Sequence, residues 1–355
     1  MQLPAHGANA TALYKALGLE VPQHVIDVSE NVNSAGLPPI VREQWGRLLE
    51  VASSYPNEQA EPFRSTVANA HGVVTENIVV TNGAAEGLMA LAQRFSGLHI
   101  ALLEPSFSEY RRTLLAQGCT LHEVVVEDAA SYRVDTQKLA DTLANVQACY
   151  ICNPNNPTGV LLEKVWIEPL IKANPHCQFV IDEAFMDWTD EAESVISLIN
   201  EHANLFVLRS MTKMYAIAGV RLGYVIGQQA GELARFLPHW NVGGVAIEVG
   251  CLCLQEAAFV EQSRKESAAL RGVMTRDLQQ LGCTVSNSAA NFLLFGLPQN
   301  LVADHFFKAL LKQGIVLRHT ENYVGLNGEW FRIAVKTPEI WRNCKEAIEM
   351  YVSRN

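Results

Sequence analysis

The chain alternates between short, largely apolar blocks and longer segments with helical spacing. The blocks lie at 78–80, 99–103, 120–126, 148–152, 178–181, 205–208 and 224–226. Apolar runs of this length, bounded by polar turns, predict strands buried on both faces. Apolar residues three and four apart predict helices at 41–54, 62–71, 86–95, 108–117, 136–145, 163–173 and 193–201. Strand and helix in alternation predict a mostly parallel sheet flanked by helices. From about residue 228 the rhythm changes. A short helix at 231–237 and long helical runs over 247–287 precede strands at 292–295, 315–318 and 330–335 and helices at 301–313 and 338–353. That mixture predicts a smaller α+β domain. Residues 1–40 carry many Asn, Gly and Pro, as in HGAN at 6–9, and predict an arm. The expected organisation is α/β: an N-terminal arm, 1–40, packing with the small domain; a large domain, 41–240; and a small C-terminal domain, 241–355.

Composition narrows the function classes. The 355 residues suit about two domains. A net charge of −10, with no basic block, argues against a nucleic-acid partner. No apolar run approaches the ~20 residues that span a bilayer. The start, MQLPAHGANA, has no basic region followed by an apolar core, so no secretory signal is expected. The eight cysteines are scattered, which suits reduced thiols in cytoplasm. Cys149 and Cys152 form a C-x-x-C, but on a strand that spacing points them to opposite faces, and no metal site is expected.

The candidate chemistry sits just after strands, on the carboxyl edge where open α/β sheets bind ligands. Lys213 follows the 205–208 strand, with Ser210 and Thr212 beside it and Arg221 eight residues on. A lysine in an apolar pocket near other cations has a lowered pKa and attacks carbonyls as a free amine. Hydroxyls and an arginine suit a phosphate. The turn at 81–86, Thr-Asn-Gly-Ala-Ala-Glu, has small residues before a helix and reads as a phosphate cradle. Asp182 ends an apolar strand, where its carboxylate needs a cation. Pyridoxal 5'-phosphate (PLP), an aldehyde bearing a phosphate and a protonable ring nitrogen, would use all of these groups. Ser-x-x-Lys also occurs in penicillin-binding enzymes, but no Lys-Thr-Gly triplet accompanies it here.

NNPTG at 155–159, DEAF at 182–185 and SMTK with Arg221 at 210–221 resemble the fold-type-I PLP enzymes, the aspartate aminotransferase superfamily. The resemblance covers nearly the whole chain. It implies that Lys213 carries the cofactor and Asp182 pairs with the pyridine nitrogen. It further implies that Asn156 bonds the ring 3'-oxygen and Phe107 stacks on the ring. Gly83, Ala84, Ala85, Ser210, Thr212 and Arg221 match the phosphate site. Tyr55 matches a tyrosine that reaches the phosphate of the other subunit, implying a homodimer, and Arg332 matches the arginine that binds the substrate carboxylate.

Within the superfamily the chain is similar to the subgroup of histidinol-phosphate aminotransferase and threonine-phosphate decarboxylase. HGAN, DVSENVNSAG at 27–36 and PSFSEYRR at 105–112 resemble the decarboxylase, and Phe185 stands where the aminotransferases typically have tyrosine. Ala8 and Ser34 depart from the decarboxylase pattern. Arg318 resembles an arginine that binds a substrate phosphate, with His6, Asn9 and Asn33 completing its pocket. The resemblance implies a small phosphorylated amino-acid substrate. Loss of CO₂ from L-threonine O-3-phosphate would give (R)-1-amino-2-propanol O-2-phosphate for cobalamin biosynthesis. Aminotransfer from histidinol phosphate or a related amino acid is the alternative. Two readings from other classes fit less well. PLP-binding sensors carry an added DNA-binding domain, which residues 1–40 are too short to hold, and nucleotide-binding α/β proteins carry a glycine fingerprint that follows no strand here.

Overall fold

A computed structural model describes residues 3–354. In chain order the strands are β1 (Ile26–Asp27), β2 (Ile78–Thr81), β3 (His99–Glu104), β4 (Thr120–Val125), β5 (Ala148–Cys152), β6 (Gln178–Asp182) and β7 (Leu205–Ser210). They continue with β8 (Gly223–Ile226), β9 (Thr284–Val285), β10 (Phe292–Gly296), β11 (Ile315–Val316), β12 (Arg318–His319) and β13 (Trp330–Ala334).

Seven strands form the central sheet, in the order β2-β8-β7-β6-β5-β3-β4. Its neighbours pair in parallel except around β8, which runs against both β7 and β2. The apolar blocks are buried on both faces because helices cover both. One face carries Cys149, Ile151, Phe179 and Ile181 into one core cluster. The other carries Ala148, Tyr150, Cys152 and Val180 into a second. Cys149 and Cys152 thus face opposite sides of the sheet, as their spacing predicts, and all eight cysteines are free thiols.

The C-terminal region folds around a four-stranded antiparallel sheet, β12-β13-β10-β9. The arm is stitched to it: β1 pairs in parallel with β11, and Tyr14 donates to Leu311 O at 2.7 Å. Tyr14 and Leu13 lie on a helix, Ala10–Leu17, that the glycine and asparagine around it hide in the sequence.

Three predicted helices come out differently; the short one at 231–237 is a 3-10 helix, Ala230–Phe236. The 41–54 segment starts at Pro39 and breaks into Pro39–Gln44, a 3-10 turn at Trp45–Arg47 and Leu48–Val51. Gly46, a weak helix former, sits at the break. The 193–201 segment forms no α-helix, only the 3-10 turns Glu191–Glu193 and Val195–Leu198. There Glu183 accepts from Ser194 Oγ and from Val195 N, and Ser194 Oγ caps Ile196 N. Those side-chain bonds fix the backbone locally and compete with a continuous helix.

Candidate functional site

The carboxyl ends of adjacent strands gather the site. Asp182 and Ser210 end the neighbouring strands β6 and β7, and Cys152 ends β5 in register with Asp182. Ala84, Ala85, Phe107, Asn156, Thr212, Lys213 and Arg221 follow strand ends and join them around one cavity of about 280 Å³. The arm adds His6, Gly7, Ala8 and the segment 29–32; the C-terminal region adds Arg318, Tyr323 and Arg332.

Lys213 reaches this cavity with its pKa lowered to about 8, first by burial and then by the charges of Arg332 and Arg221. Roughly a tenth to a fifth is therefore neutral amine at pH 7.0–7.4, far more than for an ordinary lysine. Asp182 is raised by burial, an effect opposed by two neutral donors and, less, by the charge of Lys213. Tyr110 OH donates to Oδ2 at 2.6 Å and Ala184 N to Oδ1 at 3.0 Å. No described cation forms an ion pair with it, so the donor set fits a protonated ring nitrogen.

The turn after β2 makes the anion end. Gly83 has φ +74, and a Cβ there would lie 2.6 Å from Arg221 Nη2. A Cβ on Gly223 would lie 2.6 Å from Ala84 N, at the start of the helix Ala84–Arg94. Only glycine permits this close approach of backbone amides, guanidinium and the hydroxyls of Ser210 and Thr212, which bond each other at 2.7 Å. The residues fit a phosphate.

Asn156 is oriented by its neighbours. Its Oδ1 accepts from Arg332 Nη1 at 2.5 Å and from Tyr323 OH at 3.3 Å. A guanidinium only donates, so the amide must present Oδ1 to it and keep Nδ2 as a donor for the cavity. That polarity fits an anionic ring oxygen.

Arg318 and Arg332 are cross-strand partners on β12 and β13, 2% and 6% exposed. Arg318 Nη2 donates to Ala5 O and Asn322 Oδ1, both at 2.6 Å, and its ring neighbour is Tyr323, 5.2 Å from Cζ to centroid. Arg332 Nη2 donates to Ser29 O at 2.7 Å. All these acceptors are neutral. Arg318 Nη1 and Arg332 Nε have no partner among the described residues. Burial, with Arg318 adding to it, lowers Arg332 to about 10.

Two residues expected at the site lie elsewhere. Asn33 turns away: its Nδ2 donates to Met214 O at 2.8 Å and Ser263 Oγ at 2.9 Å, so its amide is committed to joining the arm to the lysine loop. Asn9 precedes the arm helix and lines a small neighbouring crevice. Tyr55, expected to serve the other subunit, is 83% exposed outside its own chain's cavity, its ring tilted against Trp240 at 4.8 Å between centroids. His6 is at the cavity mouth, bonded to Glu109 Oε1 at 2.8 Å.

Tyr110, Tyr323, Glu30 and Asn31 were not singled out from the sequence. Tyr110 had a signal, since three residues after Phe107 on a helix start it falls on the same side; the two rings meet edge-on at 5.8 Å. Tyr323 and the arm residues lie in loops, where no periodicity points.

The aminotransferase class I and II family model matches residues 23–349. Threonine-phosphate decarboxylase of Salmonella typhimurium is 28% identical over 347 residues, covering 94% of this chain and 92% of that protein. Histidinol-phosphate aminotransferase of Halalkalibacterium halodurans is 28% identical over 341 residues, covering 94% and 90%. The adenosylcobalamin biosynthesis bifunctional protein CobDQ of Leptospira interrogans is 29% identical over 347 residues; 96% of this chain spans only 40% of that protein. Among solved structures, histidinol-phosphate aminotransferase from Clostridium acetobutylicum superposes with a TM-score of 0.87 at 25% identity, over 92% of this chain and 99% of that one. L-threonine-O-3-phosphate decarboxylase from Porphyromonas gingivalis superposes with a TM-score of 0.80 at 25% identity, over 91% and 98%. With the lysine, aspartate and anion cradle in place at one sheet edge, the chain belongs to the class I and II aminotransferase family, whose cofactor is pyridoxal 5'-phosphate.

Proposed function

We propose that the chain decarboxylates L-threonine O-3-phosphate to (R)-1-amino-2-propanol O-2-phosphate, a step of cobalamin biosynthesis, as a cytoplasmic homodimer in which Tyr55 serves the partner's cofactor. The observation that carries the reading is the pair of buried guanidiniums, Arg318 and Arg332, side by side with only neutral partners. Two such cations need two anionic groups, and a phosphorylated amino acid supplies a phosphate and a carboxylate.

PLP held by Lys213, Asp182 and the phosphate cradle would supply an electron sink for the Cα bond that breaks. The chain's own residues decide which bond that is. Arg318, beside the arm, anchors the phosphate, and the arm residues His6, Gly7 and Ala8 close that end. Arg332 faces the carboxylate while also holding Asn156. When the Cα–carboxylate bond breaks, CO₂ leaves and Cα needs one proton. Lys213, in the same cavity and mostly protonated below pH 8, delivers it as its ammonium.

Aminotransfer from histidinol phosphate is the second reading, favoured by the aminotransferases among the relatives. Histidinol phosphate has no carboxylate, so in that reading Arg332 would take the carboxylate of the 2-oxo-acid acceptor instead. A panel of phosphorylated and plain amino acids, read by product mass and by 2-oxo-acid consumption, separates the two. An amine product with no 2-oxo acid consumed supports decarboxylation; oxo-acid-dependent turnover without CO₂ rejects it.

A further inference from the structure

Tyr110 lies behind the catalytic cavity, at the start of the helix Glu109–Ala116, 1% exposed and no part of the cavity lining. Its hydroxyl donates to Asp182 Oδ2 at 2.6 Å, and among the described residues no other side chain donates to that carboxylate. A bond of that length is typical of O–H···O⁻, in which the acceptor is ionised. The same ring meets Phe107 edge-on, with centroids 5.8 Å apart, and leans on Tyr150 of β5 at 5.6 Å. The Tyr110 backbone N–H donates to Phe107 O at 3.1 Å. One buried residue therefore touches both the expected stacking ring and the partner of the ring nitrogen.

Burial, and then the charge of Asp182, raise the Tyr110 phenol well above its ordinary range, so the hydroxyl keeps the proton it donates. Burial raises Asp182 too, and the bond from Tyr110 is the first of the effects that oppose it. A carboxylate that loses a donor becomes more basic and takes a larger share of a proton held between it and a ring nitrogen. We infer that Tyr110 is a positioning residue: its hydroxyl keeps Asp182 ionised and aimed, and so holds the proton on the pyridine nitrogen of PLP. Its ring fixes Phe107 at the same time. Decarboxylation and aminotransfer both draw on a protonated ring, so this role stands under either reaction.

The test is nitrogen-15 NMR of the protein loaded with PLP labelled at the ring nitrogen, recorded without substrate. Free PLP in acid and in alkali gives the protonated and neutral reference positions. The parent's signal should lie near the protonated one. Tyr110→Phe keeps both ring contacts and removes one oxygen. Its signal should move towards the neutral reference, with kcat about tenfold lower and KM changed less than about threefold. Replacing Tyr110 by 3-fluorotyrosine makes the hydroxyl more acidic and a stronger donor, and should displace the signal the opposite way. A role in packing alone produces no such pair of opposed shifts. A signal unmoved in Tyr110→Phe, or moved with kcat unchanged, overturns the proposal. Should that variant not fold, a 3-fluorotyrosine signal that stays in place or moves towards the neutral reference overturns it instead.

Discussion

Replacing Arg318 by glutamine probes the reading of the two guanidiniums. Arg318 is 2% exposed, and its Nη2 is committed to Ala5 O and Asn322 Oδ1 at 2.6 Å. Its Nη1 has no acceptor among the described residues. A phosphate oxygen there makes a charge-assisted hydrogen bond, worth ~1.5–3 kcal/mol. At roughly 1.4 kcal/mol per factor of ten, its loss lowers kcat/KM about 10- to 150-fold. The arm keeps a contact in this variant, because Asn322 Nδ2 also donates to Ala5 O, at 3.0 Å. The assay is therefore a ratio. For L-threonine O-3-phosphate, kcat/KM should fall by that factor; for L-threonine, which has no phosphate, it should change less than about threefold. An equal fall for both substrates, or none for either, would refute the assignment of Arg318 to phosphate.

Other outcomes follow from the same structure. Without cofactor, Lys213→Met should be more stable than the parent at pH 7 by about 3 kcal/mol, read by denaturant unfolding. The lysine pKa is about 8 folded against 10.5 ordinarily, so the penalty for its charge is full below pH 8 and fades as pH rises towards 10.5; a gap that widens instead would contradict the burial argument. Gly83→Ala places a Cβ 2.6 Å from Arg221 Nη2 at φ +74, and should weaken PLP at least about tenfold by absorbance titration. Arg209→Met strips the cation from Glu183, Asp187 and Glu191 and should destabilise the fold by ~3–5 kcal/mol at pH 8. That loss should shrink by pH 5, because Asp187, raised to about 6 first by burial, takes up a proton there.

The fold was legible where burial dictates the pattern. Strand β6 ends one residue beyond its predicted bound, at Asp182, because Phe179, Val180 and Ile181 are 0% exposed and no polar residue interrupts them. Residues held by side-chain contacts were not legible. The stretch after Asp190 is turned by Ser194 and Glu183, partners eleven residues apart whose meeting no local periodicity records. The cofactor end of the site was visible because its residues follow strands directly. The substrate end was visible only in part: Arg318 and Arg332 were assigned through the family resemblance, whereas their being opposite each other depends on the β12–β13 register. Asn33 shows the converse, a polar arm residue whose amide is committed to Met214 O and Ser263 Oγ.

The most direct measurement is carbon-13 NMR of the cofactor-loaded protein turning over L-threonine O-3-phosphate labelled at the carboxylate. The label should appear as bicarbonate, while the organic product carries none and no 2-oxo acid is required. Label retained in an oxo-acid product, formed only when an amino acceptor is supplied, would contradict decarboxylation and leave aminotransfer in its place.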